Sequence, residues 1–461
     1  MPATGRAAIF GSFVLDATDA TASVLRDRWV VTEGGRITAV TAHRPEGADI
    51  VLDAPGRFVL PGLLNLHNHC FTEAIARTHT EDGAARRNGR SIVYTVLLPL
   101  SRRGLDIMTR EERLAIARLG ILQLLKGGCA TVMEGFRNGL AEMFDAALEM
   151  GLRFYGAPYV FSAADPRARE DGSVDYGAAD DGAADLAAWD RLHAAWEGRD
   201  DGRIRLAMGP HATDTCGPDL LRAAATRARA LGVPITMHMA QSAGEVATIR
   251  ARHGRTPVEY LDWLGVLGPD LLAAHGIACT PGDLRLFARR GAAMVNCPRV
   301  FARSGTTASF AYFAAHGVRT LVGTDGYNMD LLGELHAAAI ISKIVTADAT
   351  AASAPQLIAA VTSEAAAALG RADLGIIRPG AAADLTVIDL SHPHLQPLSD
   401  PIRALVWLAN RGNIDAVMVA GRLLVAGGRY LHGDEAAITA AGAAAVQRIW
   451  DLPEARSAFA N

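Results

Sequence analysis

His67 and His69 flank one asparagine at the end of the apolar run FVLPGLLNL. Side chains on a strand repeat with period two, so both imidazoles point to the same side and make a two-nitrogen clamp for a metal. With 14 histidines in 461 residues such a pair is a weak indication alone. Its setting strengthens it: His211 closes IRLAMGPH, His238 lies near the end of PITMHMA, His275 closes LLAAHG and Asp325 closes RTLVGTD. A divalent cation among such groups lowers the pKa of a bound water to about 7 and makes hydroxide available at neutral pH. The chemistry that follows is hydrolysis.

The segments carrying these residues must bring them together. FVLPGLLNLHNH, CATVMEG, RFYGAPYVF, IRLAMGPH, PITMHMA, LLAAHG, AAMVNCP and RTLVGTD alternate with stretches of helical period such as EERLAIARLGILQLLKGG and DLLRAAATRARALG, each ending in a glycine suited to a C-terminal cap. Eight βα units predict an α/β fold, a closed TIM (β/α)8 barrel whose strand ends meet at one mouth. β-rich runs at both ends, from AAIFGSFVLDA to DIVLDAPGRFVL and from ADLTVIDL to AVMVAGRLLVAGGRY, predict a small β-sandwich formed by the two termini. The expected division is residues 1–57 and 371–461, the latter with a C-terminal helix, around a metal-dependent barrel over 58–370. Residues 162–182, rich in Asp, Gly and Ala, read as a loop on the catalytic face, either a lid or a plain solvated loop.

Half of the residues are hydrophobic and 20% are charged, enough for a large core and too little charge for disorder. The formal net charge of −4 gives no cationic surface for nucleic acid or an anionic membrane. The expected partner is a small-molecule substrate, with a homodimer or higher homo-oligomer as the assembly. No export signal or membrane-spanning run is legible, and five scattered cysteines without a C-x-x-C pair fit a reducing cytoplasm. Cys70, next to His69, reads as a small packed residue. Asn65 and Asn68 flank the clamp and could donate to its ligands or simply fill the strand.

PGLLNLHNH, GPHATDTCGPDLL, MHMAQSAGEV, LLAAHG, MVNCP, VGTDG and the tail LGIIRPGAAADLTVIDL with AVMVAGRLLVAGG resemble the amidohydrolase superfamily, in the branch of the cytosine and methylthioadenosine deaminases and the triazine hydrolases. That resemblance implies His67, His69, His238 and Asp325 as ligands of one divalent ion, zinc first, with iron, manganese or cobalt compatible. It places His275 beside the water and makes Asp325 the group that takes and returns its proton. Binuclear members use a strand lysine, and the chain has only Lys126 and Lys343, before the second strand and after the eighth. A mononuclear site follows.

The chain departs from that pattern in two places. Where the deaminases carry a proton-shuttling Glu after the fifth strand, HMAQ puts Gln241, whose amide hydrogen-bonds but exchanges no proton near neutral pH. Glu245, four residues on, reads as a capping or surface carboxylate. After the seventh strand NCPRVFARSG replaces the usual Ser and Asn, so Arg299, Phe301 and Arg303 could line a different pocket or sit in surface ion pairs. His211 is the candidate substrate contact, or else a structural histidine. Gln241 favours hydrolysis of a urea, carbamate, thiocarbamate or amide. The alternatives are an aminohydrolase or dechlorinating hydrolase of a nitrogen heterocycle, and a metal-bound barrel that binds a ligand without turnover.

Overall fold

The computed structural model describes residues 5–16, 23–71, 93–137, 140–163, 165–171, 173–303, 305–306, 309–326 and 328–459. Five strands open the chain: β1 (Ala7–Asp16), β2 (Ser23–Glu33), β3 (Arg36–Thr41), β4 (Ile50–Leu52) and β5 (Arg57–Pro61). Gly34 and Gly35 form the two-residue turn between β2 and β3, and both take the positive φ, 57° and 79°, that this tight hairpin needs. The barrel strands follow as β6 (Leu63–Asn68), β7 (Cys129–Phe136) and β8 (Arg153–Val160), then a short hairpin of β9 (Arg167–Ala168) and β10 (Val174–Asp175). An interrupted fourth barrel strand, β11 (Ile204–Leu206) and β12 (Gly209–Pro210), leads to β13 (Ile235–Met239), β14 (Leu271–His275), β15 (Ala293–Asn296) and β16 (Arg319–Val322). β17 (Leu385–Asp389), β18 (Ile414–Val419), β19 (Arg422–Ala426) and β20 (Arg429–Tyr430) return to the first sheet.

The strands of both chain ends form one nine-stranded sheet, in the order β20-β19-β18-β17-β5-β1-β2-β3 with β4 also on β1. Antiparallel pairing of β17 with β5, Leu385 opposite Pro61, joins the halves from the two termini. The sheet folds back on itself as the expected sandwich: Thr32 of β2 lies 3.8 Å from Met418 of β18, four strands away in the order, and Val30, Ile37, Ala416 and Met418 share one buried cluster.

The barrel strands make two parallel sheets, β6-β7-β8-β11 with β12 also on β8, and β13-β14-β15-β16. These meet at both seams. Met208 bridges to Ile235 and Ala212 to His238 on one side, and Asn68 bridges to Asp325 on the other. Leu64, Met133, Tyr155, Leu272, Val295 and Leu321 come from six strands and share one buried cluster, which only the inside of a closed barrel allows. The chain is therefore a TIM barrel with a small β domain. Strands β6, β7, β8, β13, β14 and β15 are buried along their whole length, as expected for parallel strands covered on both faces.

The helix Pro218–Leu231 ends at Gly232, with φ 67°, as its sequence suggests. Arg110–Lys126 ends differently: Gly127 has φ −87° and the left-handed residue is Gly128, φ 87°. Barrel and terminal sheet are tied by a buried, two-pronged ion pair in which Arg153 of β8 reaches Asp384 at 2.6 and 2.9 Å. The same carboxylate accepts from the Ala420 backbone at 2.7 Å. Lys126 is held by the Gly428 carbonyl and Glu435, and Lys343 donates to Ala351 and lies over Trp407. Among the described residues no helix is long and apolar enough to cross a membrane.

Candidate metal centre

The seam between the first and last barrel strands builds the centre. His69 donates its backbone N–H to the Asp325 carbonyl at 3.1 Å, and Asp325 donates to the His67 carbonyl at 3.0 Å, so three polar side chains are locked in register. Across the mouth His238 comes from β13 and His275 ends β14. His275 and Asp325 hold φ of 83° and 53°, a conformation that costs a non-glycine residue about 1–3 kcal/mol and that the surrounding pairing sustains.

Ring orientation is set from behind. His69 donates Nδ1–H to the Gly135 carbonyl at 2.8 Å and His238 donates Nδ1–H to the His211 carbonyl at 2.9 Å. Each then presents an Nε2 lone pair to the mouth, and these two nitrogens are 3.2 Å apart. Two lone pairs facing one another at that distance repel unless a cation lies between them. Nε2 of His67 is buried without a hydrogen-bond partner. Asp325 Oδ1 stands 3.4 Å from His69 Nε2 and 3.9 Å from His67 Nε2. The His69–His238 and His69–Asp325 separations are close to the edges, roughly 3.4 Å, of a tetrahedron with bonds of about 2.0–2.1 Å. The three imidazoles group within 4.8 Å of one another with Asp325 beside two of them, a set that could hold a zinc-class ion.

Burial, then the neighbouring imidazoles, push His67 far below the usual histidine range. The same causes bring His238 to about 3 and hold His275 well below normal. These rings are neutral at pH 7, as a ligand must be. Burial raises the Asp325 carboxyl, partly offset by His69.

Asn65 and Asn68 hold none of these rings. Asn65 donates to Thr324 Oγ1 at 2.7 Å, Thr324 donates to Asn68 Oδ1 at 2.7 Å, and Asn68 donates to Glu134 at 2.5 Å. They brace the seam beside Asp325. Cys70 is buried against Gly120, where a Cβ would come within 2.4 Å of its own.

His211 is buried, bonded through Nδ1 to Thr215 at 2.9 Å and stacked on Phe161 with ring centres 4.7 Å apart. Its ring is 4.9 Å from that of His238, which places it at the mouth. Phe301 meets the His275 ring edge-on at 4.8 Å. Arg299 turns instead to Asp330 and Glu334, at 3.5 and 3.7 Å. Arg303 acts on Asp325 through its charge.

Glu245 is not a surface group: it is 2% exposed. It accepts from the Thr213 hydroxyl and, at 2.8 Å, from the Gln241 backbone N–H, tying the turn after β13 to the one after β12. Burial and the neighbouring Asp214 push it up to about 8. Asp214 accepts from Tyr94 and Tyr176, each at 2.8 Å. Tyr176 belongs to the 162–182 segment, whose β9 and β10 place Ala168 and Val174 against Tyr94, Leu98, Tyr159 and Phe161. That segment is thus pinned at the mouth rather than loose in solvent.

Glu134, Cys297, Asp214, Tyr94, Tyr159 and Tyr176 were not singled out from the sequence. Glu134 was findable as a carboxylate in an apolar strand, and Cys297 by its position just past β15. Tyr159 lies in β8, one of the strands read from the sequence, whereas Tyr94 and Tyr176 lie in segments that carry no periodic pattern.

Residues 58–424 match the Amidohydrolase family. The chain is 31% identical over 387 residues to a 5-methylthioadenosine/S-adenosylhomocysteine deaminase of Moorella thermoacetica, covering 83% of this chain and 85% of that one. It is 29% identical to a 5'-deoxyadenosine deaminase of Methanosarcina acetivorans, covering 90% and 92%. The crystal structure of an adenosine deaminase from Xanthomonas campestris with bound zinc superposes with a TM-score of 0.84 at 26% identity, over 98% of this chain and 100% of that one.

Proposed function

The chain belongs to the amidohydrolase family, and on that premise we propose that it is an aminohydrolase that releases ammonia from an amino-substituted nitrogen heterocycle of the adenine-nucleoside type. The observation that carries this reading is the donor set at the seam together with similarity to nucleoside deaminases over 83–90% of the chain. His67, His69, His238 and Asp325 would hold one divalent ion, zinc as in the Xanthomonas relative. When bound, the ion supplies Lewis acidity that activates water at neutral pH.

The protein's own groups do the rest. Asp325, whose carboxyl burial keeps more basic than usual, takes the proton of the attacking water and returns it to the leaving amine. His275, 3.8 Å from Asp325 Oδ2, hydrogen-bonds the oxygen as it adds. His211 and Phe161 offer a stacked pair of faces to a flat ring, and Phe301 closes the side next to His275. Gln241 donates its amide to a ring nitrogen without exchanging a proton.

Gln241 also favours a second reading, hydrolysis of a urea, carbamate or thiocarbamate, because charge then builds on a carbonyl heteroatom and no ring nitrogen needs a proton. The deciding measurement scores ammonia and organic amine separately over adenine nucleosides, aminated triazines, phenylureas and carbamates. Ammonia from a nucleoside supports the first reading. Amine without ammonia would overturn it in favour of the second.

A further inference from the structure

Cys297 stands one residue past β15, buried, with its Sγ inside a second group of ligand atoms. Donor atoms of His67, His275, Cys297 and Asp325 all lie within 4.8 Å of one another, as do those of His67, His69 and His238. We propose that Cys297 gives the mouth a second coordination position, His67–His275–Asp325–Cys297, which takes a thiophilic divalent cation of the cadmium type and excludes occupation of the His67–His69–His238–Asp325 position. Exclusion follows from sharing, since His67 and Asp325 belong to both sets.

Two further observations point to a ligand there. Nε2 of His67 is buried without a hydrogen-bond partner, and the His275 ring stands at right angles to it with centres 5.0 Å apart and its Nε2 3.8 Å from Asp325 Oδ2. Neither His67 nor His275 is more than 4% exposed. One sulfur, two imidazole nitrogens and a carboxylate oxygen form a four-donor set, and the sulfur shifts its preference from hard cations toward soft ones. Among the described residues no other cysteine falls in such a group. Binding breaks the S–H bond, releases the proton to solvent and forms a sulfur–metal bond, with no change of oxidation state. Because His275 becomes a ligand, the group assigned to orient water is withdrawn and hydrolysis stops.

The proposal is independent of which substrate is cleaved and is tested without turnover. Zinc-loaded protein is titrated with Cd2+ while the thiolate-to-cadmium charge-transfer absorption in the ultraviolet and the released zinc are both followed. The expected result is a band that saturates at one cadmium per chain as about one zinc leaves. Cys297→Ser and Cys297→Ala should keep the wild-type circular dichroism and zinc content and lose the band. A band that persists in both variants, or full band development with zinc retained, overturns the proposal. The cadmium-113 resonance of the wild-type protein gives a readout that needs no variant: a shift typical of one thiolate ligand supports the site, and one typical of nitrogen and oxygen donors alone overturns it. A protein lacking nucleoside deaminase activity but showing the thiolate band would sink the functional reading and leave this one standing.

Discussion

Replacing His67, His238 or Asp325 by alanine takes one donor from the cluster at the seam, and metal content by elemental analysis should fall from about one ion per chain to well below that. His275→Ala should keep most of the zinc and lose most turnover, because in the zinc-bound form this ring acts on water. Equal loss of zinc in that variant would make it a ligand. Gln241→Glu is the sharper test, since a carboxylate there can exchange the proton that an amide only holds. Ammonia release from an adenine nucleoside should rise, by on the order of 10²-fold, the low end of what general acid–base catalysis contributes. A fall in activity, with amine release from a urea or carbamate also reduced, would favour carbonyl chemistry. The polar residues at strand ends were legible because period two and barrel topology say where they go. The capping role of Glu245 was legible, since it accepts the Gln241 backbone N–H at the start of the helix Ala243–His253. Its burial was not, because that comes from the packing of two turns, those after β12 and β13, which local sequence does not encode.

At the scale of elements, the turn after β13 rests on a carboxyl whose pKa is raised to about 8 from an ordinary 4.5. The folded state then holds this proton more tightly than the unfolded chain, so the contribution is complete below about pH 4.5 and is lost as pH rises to about 8. Glu245→Gln, which imitates the protonated form, should flatten the fall in stability over that window in denaturant titrations at a series of pH values. An unchanged pH slope would show that the group is not responsible. The Arg153–Asp384 pair offers a second test. Removing one partner strands a buried charge, so Asp384→Ala should cost about 3–5 kcal/mol in chemical denaturation, whereas replacing both by apolar residues of similar volume should cost far less. The helix-ending glycines show the limits of sequence reading at this scale: Gly232 turns left-handed at once, while Gly127 and Gly128 share the task and only the second has positive φ. Both sequences end in the same residue type, and packing decides which one turns.

For the molecule as a whole, the eight-stranded barrel was legible from the alternation of apolar runs with helical stretches, and the joining of the two β-rich ends from their texture. Strand order and register in the terminal sheet were not, because pairing between residues more than 300 apart leaves no local trace. We expect a chain ending at residue 370 to fail to fold, since it lacks β17, the partner of β5, and Asp384, the partner of Arg153. A soluble truncated protein with the circular dichroism of an intact barrel would refute this.

The same pairing has a consequence for synthesis on the ribosome. β5 emerges early, with one edge taken by β1, while the strand that covers its other edge is translated more than 300 residues later. At the usual 5–20 residues per second the nascent chain carries an open strand edge for roughly 15–60 s, long enough for a neighbouring chain on the same message to pair with it. Dilute translation or a holdase chaperone present during elongation should therefore raise the soluble yield of this protein more than the same treatment applied after release.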